Sequence, residues 1–192
     1  MKPDQKLLCS VVAELFQSER SASRHPVVEA ERVGDAPPSR PMQLVAAHAT
    51  RALSELEVLS QDRDLEVGTA MRALGRSLSA IRNRFADLTL RREQSYRFTM
   101  LGIRHGIDTV RLLRDIALER DDTELVRWTE QWLEERVQLI AQAEAQLSWF
   151  ARFPEEAIAP IRQSVLARGG RALGSVFGKV DAAMSRTSPK RA

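Results

Sequence analysis

Between Val67 and Ala117 apolar residues recur every three or four positions, and this spacing constrains the fold more than any other feature of the chain. Val67, Met71, Leu74, Leu78, Ile81, Phe85 and Leu88 step through three heptads without an error. That is the pattern of a helix whose seam packs against another helix. Upstream, Met42, Val45, Ala49, Ala52, Leu56 and Leu59 keep the same steps. Downstream, Tyr96, Met100, Ile103, Ile107, Val110, Arg114 and Ala117 resume them. All eight Pro lie outside residues 42–153, so nothing in that stretch forbids long helices. The expectation is an all-α fold of long antiparallel helices, forming a coiled-coil-like or four-helix bundle.

How these helices join is less determined. Asp64 suits the N-cap of a helix starting near residue 64. The polar stretch Thr89–Ser95 contains no Gly, Pro, Asn or Asp, the residues a helix reversal normally uses. The seam beyond it is shifted by one residue, equivalent to a four-residue stutter. One continuous helix from Asp64 to Arg120, about 85 Å long at ~1.5 Å per residue, is therefore expected, with a tight turn at 91–95 as the competing arrangement. Residues 96–120 carry a second seam of Phe98, Leu101, His105, Leu112 and Ile116. A helix apolar on two sides is enclosed by its bundle or offers a surface for association. His105 on that seam reads as a packed histidine bonded to a carboxylate, in competition with a pH-sensitive group. Asp121 or Asp122 then caps the next helix, with Glu124 near its positive end.

Residues 1–20 contain a short amphipathic helix carrying Leu7, Leu8, Val11, Val12, Leu15 and Phe16. Residues 21–41, rich in Pro, Ser and Arg, read as a linker without a fixed fold. The bundle is expected over 42–153, ending where Pro154 interrupts. Residues 154–192 read as a weakly helical basic tail. From Arg162 to Ala192 seven Lys/Arg face one Asp, so this segment carries +6 while the chain as a whole carries +3. A basic tail on a mildly acidic body favours contact with anionic surfaces. Gly170, Gly174 and Gly178 weaken helix there.

Several chemistries are excluded by what is missing. The single cysteine, Cys9, rules out an internal disulfide and a cysteine zinc site, and fits a reducing, cytoplasmic location. His25, His48 and His105 are preceded three positions earlier by Ala22, Val45 and Gly102, so the Glu-x-x-His pair of a di-iron bundle is absent. No phosphate loop, nucleophile elbow or paired catalytic carboxylates occur. No enzyme, no metal and no cofactor are expected. Scattered arginines between 72 and 92 lack interleaved aromatics, so specific nucleic-acid recognition is not expected either. No apolar run is long enough to span a membrane.

Trp128 and Trp132 fall beside Leu125, Leu139, Ala143 and Phe150 on a helical wheel, which assigns them to packing. Trp149 lies off that arc and is the tryptophan placed to touch a partner. With it, Phe98, Leu101, His105, Leu112 and Ile116 make up the candidate interaction surface. Arg136 lies within the same apolar arc and needs a buried carboxylate, for which Asp108 or Asp115 on the preceding helix are the candidates.

The segment from Arg104 to Ala151, with an Arg/Asp-rich helix, a short acidic turn and then "ELVRWTEQWLEERVQL", resembles the helix–turn–helix core of the phasin family. Gln131, Trp132 and Leu133 match a Gln followed by an aromatic–Leu pair, and "AQAEAQL" matches in character; the resemblance extends at most over Leu44–Phe153. It implies a non-enzymatic, oligomeric bacterial protein that coats polyhydroxyalkanoate storage granules through amphipathic helices. The alternatives are a scaffold or regulatory bundle that binds a protein partner, or a membrane-surface protein acting through residues 161–186.

Overall fold

A computed structural model describes residues 2–65 and 90–160. Helix α1 spans Pro3–Val33, α2 Ser39–Gln61, α3 Arg92–Glu119 and α4 Thr123–Ala145. Two short helices follow, α5 over Leu147–Arg152 and α6 over Pro154–Ile158. All described elements are helices, as the periodicity predicts.

The four long helices form one bundle in which α1 and α4 each pack on both α2 and α3. Cross-helix pairs give the directions. Asp4–Arg120, Glu14–His105 and Glu29–Ser95 run α1 against α3. Arg63–Asp122, Glu55–Trp128 and Arg51–Glu135 run α2 against α4. Arg104–Glu144 and the Tyr96 hydroxyl on the Ala143 carbonyl join α3 to α4, and the turn at residues 120–122 reverses the chain between them. Helices packed side by side are thus antiparallel, and α1 faces α4 across the diagonal. The core is built from Leu8, Leu15, Met42, Val45, Leu56, Tyr96, Ile103, Val110, Leu113 and Trp132, among others.

Three expectations are corrected. First, residues 21–33 belong to α1 instead of a linker. Leu8, Val12, Leu15, Glu19, Ala22, Pro26, Glu29 and Val33 are all buried, and their steps alternate four and three without a break. The helix phase therefore continues through Pro26, whose missing N–H costs one backbone hydrogen bond. The chain leaves α1 at Gly34, where φ is 64° and the N–H bonds to the Ala30 carbonyl. That positive φ is inexpensive only for glycine. Pro37 and Pro38 then introduce α2 at Ser39.

Second, Asp64 does not open a helix running to Arg120. Its φ is 49° and its N–H bonds back to the Gln61 carbonyl, in the turn that follows the Asp62 C-cap of α2. Arg91 is extended, with ψ at 155°, and α3 begins after it. The Gln94 side chain accepts the Arg91 N–H at 3.1 Å, so a glutamine caps the start of α3. The heptads of 67–88 lie wholly outside the described residues. Third, the bundle does not stop at Pro154. Arg92 N–H bonds to the Ala159 carbonyl at 3.1 Å, Arg92 pairs with Glu156, and Ala157 is buried. The remainder of the basic tail, from 161 onward, also lies outside the described residues.

Asp122 is the residue that caps α4. It accepts the Leu125 N–H at 3.0 Å and holds Arg63 with two bonds, at 2.7 and 2.8 Å. The Arg63 guanidinium holds the Asp122 carboxyl below its ordinary range. Asp122→Ala is expected to cost about 1–2 kcal/mol at neutral pH, from the lost cap and the lost pair with Arg63, which keeps only Glu124 and the Leu59 carbonyl. Urea denaturation measures this, and an unchanged midpoint would show the clamp to be inert.

Candidate functional site

Two features stand out on this scaffold: a charged cluster at the bundle centre, and an apolar row on its outside. The cluster is centred on Arg136, whose side chain is 1% exposed. Its Nη2 donates to Glu19 Oε2 at 2.6 Å, reaching across the diagonal from α4 to α1. Its Nε donates to His48 Nδ1 at 3.0 Å. The guanidinium carbon lies 4.5 Å from the Trp132 ring centroid, adding a cation–π contact. Trp132 in turn meets His48 edge-on at 5.5 Å.

Electrostatics within the cluster follow from desolvation. Burial raises the Glu19 carboxyl above its ordinary pKa, with the Arg136 charge pulling it back down. Burial lowers Arg136, with Glu19 opposing. His48 falls to about 4, through burial first and the Arg136 charge second. It is therefore neutral near pH 7. Because Nδ1 accepts from Arg136, the His48 proton sits on Nε2, 3.7 Å from Glu135 Oε2. Glu19 Oε1, Arg136 Nη1 and Trp132 Nε1 are buried and have no protein hydrogen-bond partner, so this cluster is only partly satisfied.

The expected partners of Arg136 are not the actual ones. Asp108 and Asp115 lie on the solvent side of α3, bonded to Arg111 at 3.0 Å and to Arg114 at 2.9 Å. Glu19 takes their place because it lies on the buried phase of α1. The three–four spacing from Leu8 to Val33 places Glu19 on that phase.

Between α2 and α4, above His48 and Trp132, lies a cavity of about 130 Å3 rimmed by Arg51, Glu55, Trp128 and Glu135. The Trp128 indole N–H bonds to Glu55 at 2.8 Å, and Arg51 pairs with Glu135. These groups satisfy one another, which makes the groove a polar seam between helices. Among the described residues, no three His, Cys, Asp or Glu side chains gather to hold a metal. No described helix is long and apolar enough to cross a membrane.

The second seam of α3 faces outward. Phe98 is 59% exposed, Leu101 58% and Leu112 47%. Ile116 is half-buried. The His105 side chain is 54% exposed, with Nε2 3.0 Å from Glu14 Oε1. These five residues lie within about 60° of one another on the wheel at ~100° per residue, so they form a single row. Trp149 is elsewhere. It is half-buried on α5, edge-on to Phe150 at 5.1 Å and tilted against Phe153 at 5.2 Å. The aromatic corner anchors α5 to the bundle, since Phe150 also meets Tyr96 at 5.2 Å.

Comparison with family models, with curated proteins and with solved structures finds no match to this chain.

Proposed function

We propose that the chain is a non-enzymatic, phasin-like protein that adsorbs to the apolar surface of polyhydroxyalkanoate granules through the outer row of α3. The observation that carries this reading is the exposure of Phe98, Leu101 and Leu112 on one helix face. Other large apolar side chains, such as Leu7, Val58, Leu118 and Val137, are also exposed, but Phe98, Leu101 and Leu112 share one row of one helix, and a continuous apolar row invites a counterpart. Residual burial of side chains already half covered returns about 1 kcal/mol each, or about 3 kcal/mol for the row. That corresponds to a roughly hundredfold preference for the surface.

The buried cluster shapes how adsorption proceeds. Unrolling the bundle to lay its core on a polymer would strip Arg136 from Glu19 and press both against an apolar phase, which is costly. The bundle therefore docks closed, by an outer face. The test is co-sedimentation of the full chain with purified polyhydroxybutyrate granules. Replacing Phe98, Leu101 and Leu112 together with Ser is expected to lower the bound fraction at least tenfold while leaving the thermal melt unchanged. Equal binding by the triple variant, or a diffuse fluorescent fusion in granule-filled cells, would remove this reading.

A further inference from the structure

We propose that the groove between α2 and α4 binds a small organic cation, of the methylated-ammonium or guanidinium class. This goes beyond the adsorption reading: it uses none of the residues of the outer α3 row and stands or falls without it.

Each helix supplies one face to the groove. His48, Arg51 and Glu55 step by three and four along α2, and Trp128, Trp132 and Glu135 step by four and three along α4. Glu55 and Trp128 meet towards one end, and Arg51 and Glu135 towards the other. Of the side-by-side helices, α2 and α4 are the most loosely packed, which leaves a space of about 130 Å3. A cavity of about 150 Å3 holds a benzene molecule, so a ligand of similar or smaller size fits. The Arg51 and Glu135 side chains are 55% and 48% exposed. That end therefore opens to solvent, and an exposed pair of this kind rearranges readily to admit a ligand.

The lining selects the sign of the ligand. Its two carboxylates face one guanidinium, and Arg51 is already paired with Glu135. Glu55 bonds the uncharged Trp128 indole at 2.8 Å and has no ion-pair partner among the described residues. His48 adds no positive charge near pH 7, because burial and Arg136 hold its pKa at about 4. The Arg136 charge beneath is answered by Glu19. Indole faces attract cations through the ring quadrupole, and Trp132 already does so for Arg136 at 4.5 Å. A cation beside Trp128 and Trp132 gains Glu55 as its counter-charge, whereas an anion meets two carboxylates of its own sign.

Nuclear magnetic resonance of the isotope-labelled full chain reads the site through its indole N–H signals, since Trp128 and Trp132 line the groove while Trp149 lies on α5. Titration with tetramethylammonium or methylguanidinium chloride is expected to shift the Trp128 and Trp132 signals saturably and to leave Trp149 in place. A Kd on the order of 1 mM is expected for so small a ligand. Sodium acetate at matched ionic strength is expected to shift none of the three. Glu55→Gln keeps an oxygen for the Trp128 N–H but removes the charge, and is expected to weaken cation binding roughly tenfold. Arg51→Gln removes the positive charge from the rim and is expected to tighten it roughly threefold. Both variants are expected to keep the wild-type melt. A trimethyllysine peptide that binds about tenfold more tightly than tetramethylammonium would show that the cation arrives on a protein, and equal affinity would show that it arrives free. No saturable shift with either cation, equal binding by Glu55→Gln, or acetate acting as the cations do would each overturn the proposal.

Discussion

Arg136→Leu is expected to lower the free energy of unfolding by about 3–5 kcal/mol, the cost of leaving a buried charge without its partner. The arginine side chain is 1% exposed and Glu19 is fully buried, so neither can turn to water when the other is removed. The loss falls mainly on Glu19, which must be protonated or drag water into the bundle centre. His48 Nδ1 loses its donor as well. For a chain of 192 residues this amounts to a melting temperature lower by about 10 °C. The double variant Glu19→Leu with Arg136→Leu is expected to regain most of the loss, since two apolar side chains of suitable volume replace the ion pair without a desolvation cost. Urea denaturation of wild type, single and double variants measures the coupling directly. A single variant as stable as wild type would show that the pair is not held in the core as described.

The second large effect is a pH dependence. His48 has a folded-state pKa of about 4 against an ordinary value of 6.5. Between those values the unfolded chain binds a proton there that the folded chain does not. Stability from this site is therefore complete above pH 6.5 and is lost as pH falls from 6.5 toward 4, by about 3 kcal/mol in total. Physically, a protonated His48 would put a second positive charge beside Arg136. Glu19 works in the other direction, because its raised pKa lets the folded state keep a proton above pH 4.5. The difference between wild type and His48→Asn isolates the histidine. Asparagine offers an oxygen to Arg136 Nε in place of Nδ1 but does not titrate. Stability of the variant is expected to vary less between pH 6.5 and 4 than that of wild type. Parallel pH profiles for the two proteins would rule the mechanism out.

Both effects arise in a part of the molecule that was only half legible beforehand. Arg136 within an apolar arc announces a buried charge, and a buried charge demands a carboxylate, so the existence of a pair follows from the residue alone. Which carboxylate it is does not follow. Candidates on the neighbouring helix are closest in sequence, yet a bundle brings together residues from its diagonal, and Glu19 is 117 positions away from Arg136. His48 is 88 positions away. The extent of α1 was hidden for a related reason. Pro26, the serines and the arginines of residues 21–33 argue locally for a linker. The steps from Leu8 to Val33 argue for one helix, and the packing of its whole length outweighs local propensity.

The outer row of α3 shows the opposite balance. Its five members share a face by the geometry of any α-helix, so Phe98, Leu101, His105, Leu112 and Ile116 could be grouped before any packing was known. Whether that face is enclosed or open depends on how many helices surround α3. In the folded chain α1 and α4 cover two sides, and this row lies on a third.

Helix as the regular structure of the described residues, and the faces each helix presents, were legible in the sequence, because both follow from period and composition within a few turns of chain. Only the tertiary structure decided where the helices end, which carboxylate neutralises Arg136 and which apolar seam is left open. Those outcomes depend on burial against residues far away in sequence, and a local pattern carries no record of which distant side chain will arrive.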